Sequence, residues 1–169
     1  RVSPEGSELW RRFYSGIGSG NQVEAICEDE NNNVYITGHS KDSTIINYNI
    51  ATLKYNAAGD LLWSSRYSGP GLNYDKPSSI VTDNFNNVYA SGYNIFLKST
   101  NYGQDWSNIS NMTGVGAYNL TMVNQYTGYV SGGSGKILKT TDGGVTWYRL
   151  YSKFSLQIRA MFFLNESYG

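Results

Sequence analysis

The sequence predicts an all-β protein whose four-stranded antiparallel sheets form the blades of an incomplete β-propeller. A Leu-Lys pair, a short turn and a Trp occur in this order three times, with the leucines 44 and 41 residues apart. The three copies are Leu53-Lys54…Trp63, Leu97-Lys98…Trp106 and Leu138-Lys139…Trp147. A repeat of this length that is made of short strands is typical of propeller blades.

Two further repeats interlock with the first. The sequence Asn-Val-Tyr, two residues and Gly occurs at 33–38 and again at 87–92, and a looser copy occupies 128–132. The stretch 9–18 is repeated at 62–71. Because these pieces always follow one another in the same order, they predict four strands per blade, which we name a, b, c and d.

Each strand is predicted from its own pattern. Strand a is an apolar run, strand b carries the Val-Tyr-x-x-Gly sequence, strand c ends in Leu-Lys, and strand d begins at the Trp. Strand a is predicted at Val23–Glu28, Ser78–Thr82, Tyr118–Val123 and Gln157–Phe163. Gly, Asn, Asp or Ser bounds each strand, and no segment shows sustained helical spacing of apolar residues.

We therefore predict a single partial propeller over residues 1–169. It contains the last strand of a preceding blade (8–15), three blades (22–68, 76–110 and 117–152) and the start of a further blade (156–169). Closed propellers typically contain about four to eight blades. We expect the remaining blades of a parent chain, or a second copy, to complete the ring.

The composition excludes several classes of partner. The formal net charge is +0, so nothing indicates binding to nucleic acid. No apolar run approaches the length of about 18 residues that a membrane helix needs, so we expect no membrane insertion. The single cysteine, Cys27, excludes an internal disulfide.

The residues of the turn after the third Leu-Lys pair have predictable structural roles. Asp142 can accept backbone amides in an Asx-type turn, and Gly144 can adopt a positive φ. The hydroxyls of Thr140 and Thr146 can pair locally with the turn, and Trp147 can bury a large apolar surface.

This turn resembles the Asp-box, Ser/Thr-x-Asp-x-Gly-x-Thr-Trp, which is also called the BNR repeat. The preceding copy keeps Ser99, Gly103 and Trp106 but has Asn101 at the Asp position and Asp105 at the Thr position. The second half of the chain, from about Ile95, thus resembles the Asp-box propellers. These include sialidases, sortilin-like ectodomains, some xyloglucan hydrolases and the photosystem II assembly factor. The resemblance implies that the box is a structural device remote from any ligand site.

The first half resembles a different bacterial propeller repeat, the SBBP-type repeat. Its features here are Leu53-Lys54-Tyr55-Asn56…Gly59…Trp63 and Asp83…Asn86-Asn87-Val88-Tyr89…Gly92. Proteins that mix these repeats are commonly long bacterial proteins. The resemblance implies an extracellular or cell-surface location.

Two loops superficially suggest a metal or a phosphate. Residues 29–33 offer Asp and Asn oxygens that suit calcium, but they lack the Gly and distal Glu of an EF-hand. The equivalent residues 83–87 put Phe85 where a ligand would be needed. Residues 132–136 are rich in Gly and end in Lys, but a strand follows where a phosphate loop needs a helix. We expect plain turns, no metal and no cofactor.

The propeller layout places a binding face on the b–c and d–a loops at one end of the central channel. Five residues there offer aromatic faces and charges that suit a sugar or a peptide: His39, Lys41, Tyr48, Tyr74 and Asp75. His39 is interpreted as a solvent-facing b–c loop residue, and strand c could already have begun at Tyr48. Ordinary solvated loops are the alternative interpretation.

We predict no catalytic residue. His39 is the only His and has no nucleophile marked near it, and the Arg-Ile-Pro sequence of sialidases is absent. The leading hypothesis is a non-enzymatic scaffold that presents loops to a protein or carbohydrate ligand. One alternative is part of an Asp-box glycoside hydrolase, either sialidase-like or xyloglucanase-like. Another is a partner-docking propeller like the photosystem II assembly factor.

Overall fold

Three four-stranded antiparallel sheets make up the fold of the computed structural model, which describes residues 1–14, 20–41, 48–69, 75–93, 95–109, 115–153, 155–165 and 168–169. The predicted all-β fold class is confirmed. The first sheet contains β1 (Gln22–Glu28), β2 (Val34–Lys41), β3 (Tyr48–Tyr55) and β4 (Leu61–Tyr67). The second contains β5 (Pro77–Thr82), β6 (Val88–Gly92), β7 (Ile95–Ser99) and β8 (Ser107–Asn108). The third contains β9 (Ala117–Met122), β10 (Gly128–Gly132), β11 (Ile137–Thr140) and β12 (Tyr148–Leu150).

In every sheet the strands lie in chain order and neighbours pair antiparallel, so each sheet is a run of hairpins. The first strands of successive sheets lie side by side, β1 beside β5 and β5 beside β9. The Ser78 hydroxyl donates to the Ala117 carbonyl at 2.6 Å, and the Leu120 amide donates to the Ser79 hydroxyl at 3.3 Å. These contacts join the inner edges of the sheets about a common centre.

The hydrophobic core lies between the sheets. Tyr35 of the first sheet packs with Ile80 and Val88 of the second, and Tyr89 of the second packs with Leu120 of the third. The repeated Trp residues add to these clusters, Trp106 to the first and Trp147 to the second. Each sheet therefore buries its apolar residues against its neighbour, which is how a stack of small sheets obtains a core.

A β-bulge interrupts the first strand of each sheet at the same repeat position, where one residue is skipped in the pairing with the second strand. The bulged residues are Glu24, Ser78 and Tyr118. The glycine that ends the Val-Tyr-x-x-Gly sequence faces this bulge. A Cβ at Gly92 would lie 2.1 Å from the Lys76 carbonyl oxygen, and one at Gly38 would lie 2.0 Å from that of Gln22. Only glycine allows this close approach of two backbones.

The turns between the first and second strands are built around an aspartate. The Asp83 carboxylate accepts hydrogen bonds from the Phe85 and Asn87 amides, the Asn87 side chain and the Tyr89 hydroxyl. Asp29 repeats this arrangement with Asn31, Asn33 and Tyr35. The carboxylates stabilise the turns by satisfying backbone and side-chain donors.

The turn between β11 and β12 is closed by side-chain hydrogen bonds. The Thr140 hydroxyl donates to Asp142 at 2.8 Å and accepts from the Gly144 amide at 2.9 Å, and the Thr146 amide donates to Asp142. Asp142 is exposed, and the slight desolvation of its carboxylate raises its pKa, but hydrogen bonds from Thr146, Thr140 and Val145 outweigh this effect and lower the pKa to about 2. The turn between β7 and β8 has the same pattern, with Asn101 accepting the Asp105 amide and Ser99 accepting the Gly103 amide.

A cation from one sheet holds the turn of the next sheet. The Lys98 ammonium donates to the Gly143 carbonyl at 2.6 Å, and the Tyr89 hydroxyl, which donates to Asp83, lies 3.2 Å from the same carbonyl oxygen. Arg12, in the segment that precedes the first sheet, donates to the Gly59 carbonyl in the turn between β3 and β4 at 2.7 Å. Lys98 of the second Leu-Lys pair therefore supplies a contact between the second and third sheets.

The two segments that flank the sheets contain no strand among their described residues. Residues 9–14 are held to the first sheet by Trp10, whose ring packs on Tyr55 and whose indole donates to the Ala57 carbonyl. Residues 155–164 lie against the third sheet, where Phe163 stacks on Tyr129. That these segments belong to a preceding and a further blade stays a prediction. Among the described residues there is no helix with the length and hydrophobicity that crossing a bilayer requires.

We expect Gly92→Ala to lower the free energy of unfolding by roughly 2–3 kcal/mol, because the added methyl group forces the backbone at Lys76 to move. Urea denaturation checks this value. Gly133→Ala is the matched control, since a Cβ there would meet no atom within 4 Å. Equal effects of the two substitutions would contradict the packing argument.

We expect Asp142→Ala to destabilise the protein by about 1–2 kcal/mol, because the Thr140 and Thr146 donors lose their acceptor. Asp142→Asn should cost less, since Asn101 fills the equivalent position in the second sheet. The stabilisation from the Asp142 carboxylate is present above its ordinary pKa of about 3.9 and is lost as the pH falls towards 2. Thermal unfolding of the wild-type protein and of both variants, measured across this pH range, tests these predictions. If the Ala and Asn variants unfold identically, the argument that Asn can serve as the acceptor is wrong.

Candidate functional site

Five residues lie together at one end of the first two sheets, where β2 ends and β1, β3 and β5 begin. We call them the end cluster: Glu24, His39, Tyr48, Asp75 and Lys76. The Glu24 carboxylate oxygen lies 3.1 Å from His39 Nδ1 and 3.0 Å from the Lys76 ammonium. The Glu24 carboxylate therefore contacts both His39 of its own sheet and Lys76, which directly precedes the second sheet.

The bulge in β1 explains how Glu24 reaches the neighbouring sheet. A bulged residue leaves the regular alternation of a strand, so its side chain is redirected. Ser78, the equivalent residue in β5, also crosses to its neighbour and bonds to the Ala117 carbonyl. The end cluster thus occupies a position that the fold uses repeatedly to join one sheet to the next.

His39 lies in a strand, so the prediction that it is a solvent-facing loop residue is wrong. Pairing between β2 and β3 continues to Lys41 and Tyr48, which places His39 inside β2 and buries it. Its ring packs edge-on against Tyr48 with centroids 5.2 Å apart. Burial and the Lys76 ammonium lower the pKa of His39, and Glu24 only partly opposes them. His39 is therefore neutral near pH 7.

Asp75, in the connection between the first two sheets, is hydrogen-bonded both to the end of the first sheet and to the start of β3. Its carboxylate accepts the Gly69 amide at 2.6 Å, and its own amide donates to the Tyr48 carbonyl at 2.9 Å. The side chain is buried. Burial raises the pKa of Asp75, and the hydrogen bond from Gly69 partly opposes that rise.

The structure brings together three of the five residues that the sequence proposed for a binding face: His39, Tyr48 and Asp75. Lys41 is the last residue of β2 and pairs in register with Tyr48, which begins β3. Tyr74 lies outside the described residues. The sequence analysis missed Glu24 and Lys76. Lys76 adjoins Asp75 and could have been included, but Glu24 reaches the cluster through a bulge that no sequence pattern indicated.

The turns with the Asp-box-like sequences lie at the opposite end of the sheets. They join the third strand to the fourth, whereas the end cluster lies where the second strand of the first sheet gives way to its third. Within the described ranges, no three His, Cys, Asp or Glu side chains come together in a way that could hold a metal ion. The end cluster offers an accessible ammonium group and an aromatic ring beside a shielded carboxylate, a combination that suits recognition of a charged partner.

Comparison with solved structures finds the same fold at low sequence identity. YCF48 from Cyanidioschyzon merolae is 15% identical, with a TM-score of 0.63 over 88% of this chain and 47% of that chain. A structure of YCF48 bound to D1 peptide is 15% identical, with a TM-score of 0.59 over 83% of this chain and 44% of that chain. A protein of unknown function from Bacteroides caccae is 11% identical, with a TM-score of 0.62 over 89% of this chain and 53% of that chain.

The chain spans about half the length of these solved structures. No family model matches the sequence, and no curated protein matches it. At these identities the likeness shows the fold alone. Together with the three stacked four-stranded sheets, it establishes the chain as an incomplete β-propeller.

We expect the stability of the protein to fall as the pH decreases through about 6.5, the ordinary pKa of histidine, because the unfolded chain takes up a proton that the folded His39 resists. Glu24, Lys76 and Tyr48 are the groups that face this ring. His39→Phe keeps a ring beside Tyr48 but cannot titrate, so it should remove this part of the pH dependence. Urea unfolding of both proteins across this range measures the difference, and parallel pH profiles would show that His39 is not its source.

Proposed function

We propose that this chain is a non-enzymatic segment of a β-propeller that presents its end cluster to a protein partner. The observation that carries this proposal is the pairing of Glu24 with His39 and Lys76 across the first two sheets. The pairing fixes a charged, partly exposed group on a rigid scaffold at the end of the strands. Rigid elements that position charged groups at their ends are a common basis for recognition.

The charge balance of the cluster indicates the chemistry of the partner. The Glu24 carboxylate is largely shielded, whereas the Lys76 side chain is about half exposed. The carboxylate of a partner can therefore reach the ammonium of Lys76, and the ion pair with Glu24 holds that ammonium in place. We infer that the partner is a protein segment with an acidic residue at the contact. The likeness of the fold to a propeller that has been solved with a bound peptide supports a peptide-docking role.

A non-enzymatic role is supported by the way the aspartates are used. Asp29, Asp83 and Asp142 accept several hydrogen bonds each and stabilise turns. We further propose that the parent protein is exported or displayed at a bacterial cell surface, as the resemblance to SBBP-type and Asp-box repeats implies. Turnover of chromogenic sialosides or of xyloglucan by the purified chain would favour the glycoside hydrolase alternative instead.

The docking proposal is tested with arrays of acidic, neutral and basic peptides and with a glycan array, each probed with the purified 169-residue chain. We expect binding to acidic peptides. Lys76→Glu should weaken that binding at least about tenfold, because it places a like charge opposite the peptide carboxylate.

Lys153→Glu is the control, since it makes the same charge change at an exposed residue beyond β12. It should leave the affinity unchanged at equal ionic strength. Equal losses in the two variants would mean that the peptides respond to overall charge rather than to the end cluster. Binding to glycans but not to peptides, or to neither array, would overturn the proposal.

A further inference from the structure

An exposed aromatic ring lies between the second and third sheets, at the same end of the strands as the end cluster. Tyr93 directly follows β6 and is 70% exposed. It holds the repeat position of His39, since each residue follows the glycine that faces the bulge of the first strand. His39, by contrast, is 7% exposed. Equivalent positions therefore carry a buried ring at the first junction between sheets and an open ring at the second.

The neighbours of Tyr93 explain its exposure, because they are smaller than their counterparts at the first junction. The first junction contains the long side chains of Glu24 and Lys76. Their repeat equivalents at the second junction are Ser78 and Gly116. Ser78 uses its hydroxyl on backbone carbonyls, and a Cβ at Gly116 would lie 3.5 Å from the Tyr93 ring. The ring therefore lies against bare backbone, and the rest of its surface faces solvent.

Tyr93 is also a direct neighbour of Lys76. The pairing of β5 with β6 reaches Pro77 and Gly92, so Lys76 and Tyr93 occupy the next register position beyond the paired strands. Opposite residues of an antiparallel pair have backbones about 5 Å apart. From there the Lys76 side chain extends towards the first sheet and the Tyr93 ring towards the third. An ammonium group and an aromatic ring therefore lie side by side at this end of the second sheet.

We propose that Tyr93 is a second contact of the docking surface and selects partner segments that carry an apolar residue close to the acidic residue bound by Lys76. This inference rests on the proposed function of the end cluster. Tyrosine rings offer a large, rigid apolar area and are enriched in protein interfaces. Because an extended chain advances about 3.3 Å per residue and the two side chains diverge, the apolar residue should lie about two to four positions from the acidic one.

The charge beside the ring disfavours a basic residue at this position. A cation can bind the face of a tyrosine ring, but the Lys76 ammonium is adjacent and about half exposed, so it would repel a second cation. An apolar side chain meets no such repulsion. It can pack on Tyr93 while the neighbouring acidic residue pairs with Lys76. The surface therefore fits a peptide of mixed acidic and apolar character better than a uniformly acidic one.

Fluorescence anisotropy with the purified 169-residue chain and two matched sets of peptides tests this inference. In one set, a Glu is accompanied by a Leu two, three or four positions away on either side, in a Gly-Ser background. In the other set, Ser replaces the Leu. We expect the best peptide with Leu to bind at least about fivefold more tightly than its Ser counterpart. Tyr93→Ser should abolish this preference without changing the affinity for the Ser set, and Tyr93→Phe, which keeps the ring, should retain it.

Tyr126→Ser is the matched control. Tyr126 is 57% exposed and lies at the other end of the third sheet, where its carbonyl accepts the Gly143 amide, so its loss should leave the preference unchanged. A wild-type chain that binds both sets equally, or a Tyr93→Ser chain that keeps the preference, would overturn this inference and leave the docking proposal standing. Equal loss of the preference in Tyr126→Ser would also overturn it. Binding to neither set would overturn both proposals.

Discussion

The close approach of two backbones at the glycine of each second strand is the constraint on which the rest of the structure depends. Because Gly38 and Gly92 have no side chain, the first strand of each sheet can form a bulge against them. The bulge redirects one residue out of the sheet, and that residue bonds to the next sheet. Repeating the arrangement brings the inner strands side by side and places Glu24 where the end cluster forms.

The two ends of the sheets have different roles. At one end, the turns between third and fourth strands are closed by hydrogen bonds from their own side chains. The preceding sheet also contacts these turns, as Lys98 donates to the Gly143 carbonyl. At the other end Glu24 and Lys76 form a less enclosed pair at the junction of two sheets. The first arrangement uses its polar groups to hold the sheets together, whereas the second leaves an ammonium within reach of a partner. This division supports recognition at the end cluster.

The stack of sheets stops at two faces that are unlike an ordinary protein surface. Ile26 at one end and Phe162 at the other are large apolar residues in positions where the inner sheets bury theirs. Large exposed apolar patches are uncommon on soluble proteins and generally mark interaction sites. In the inner sheets, the equivalent residues Ile80 and Leu120 are covered by the neighbouring sheet.

The repeats alone determined the fold class, the four-strand plan and the order of the strands, because spacing, apolar alternation and turn residues are local properties of the chain. The chemistry of the Asp142 turn was readable for the same reason. The sequence indicated His39, Tyr48 and Asp75, but the tertiary structure alone decided the contacts within the end cluster. His39 is buried because β2 pairs with β3 as far as Lys41, and Glu24 meets Lys76 because a bulge redirects it towards the second sheet. No pattern of spacing encodes such contacts, since they depend on how separate sheets approach one another in space.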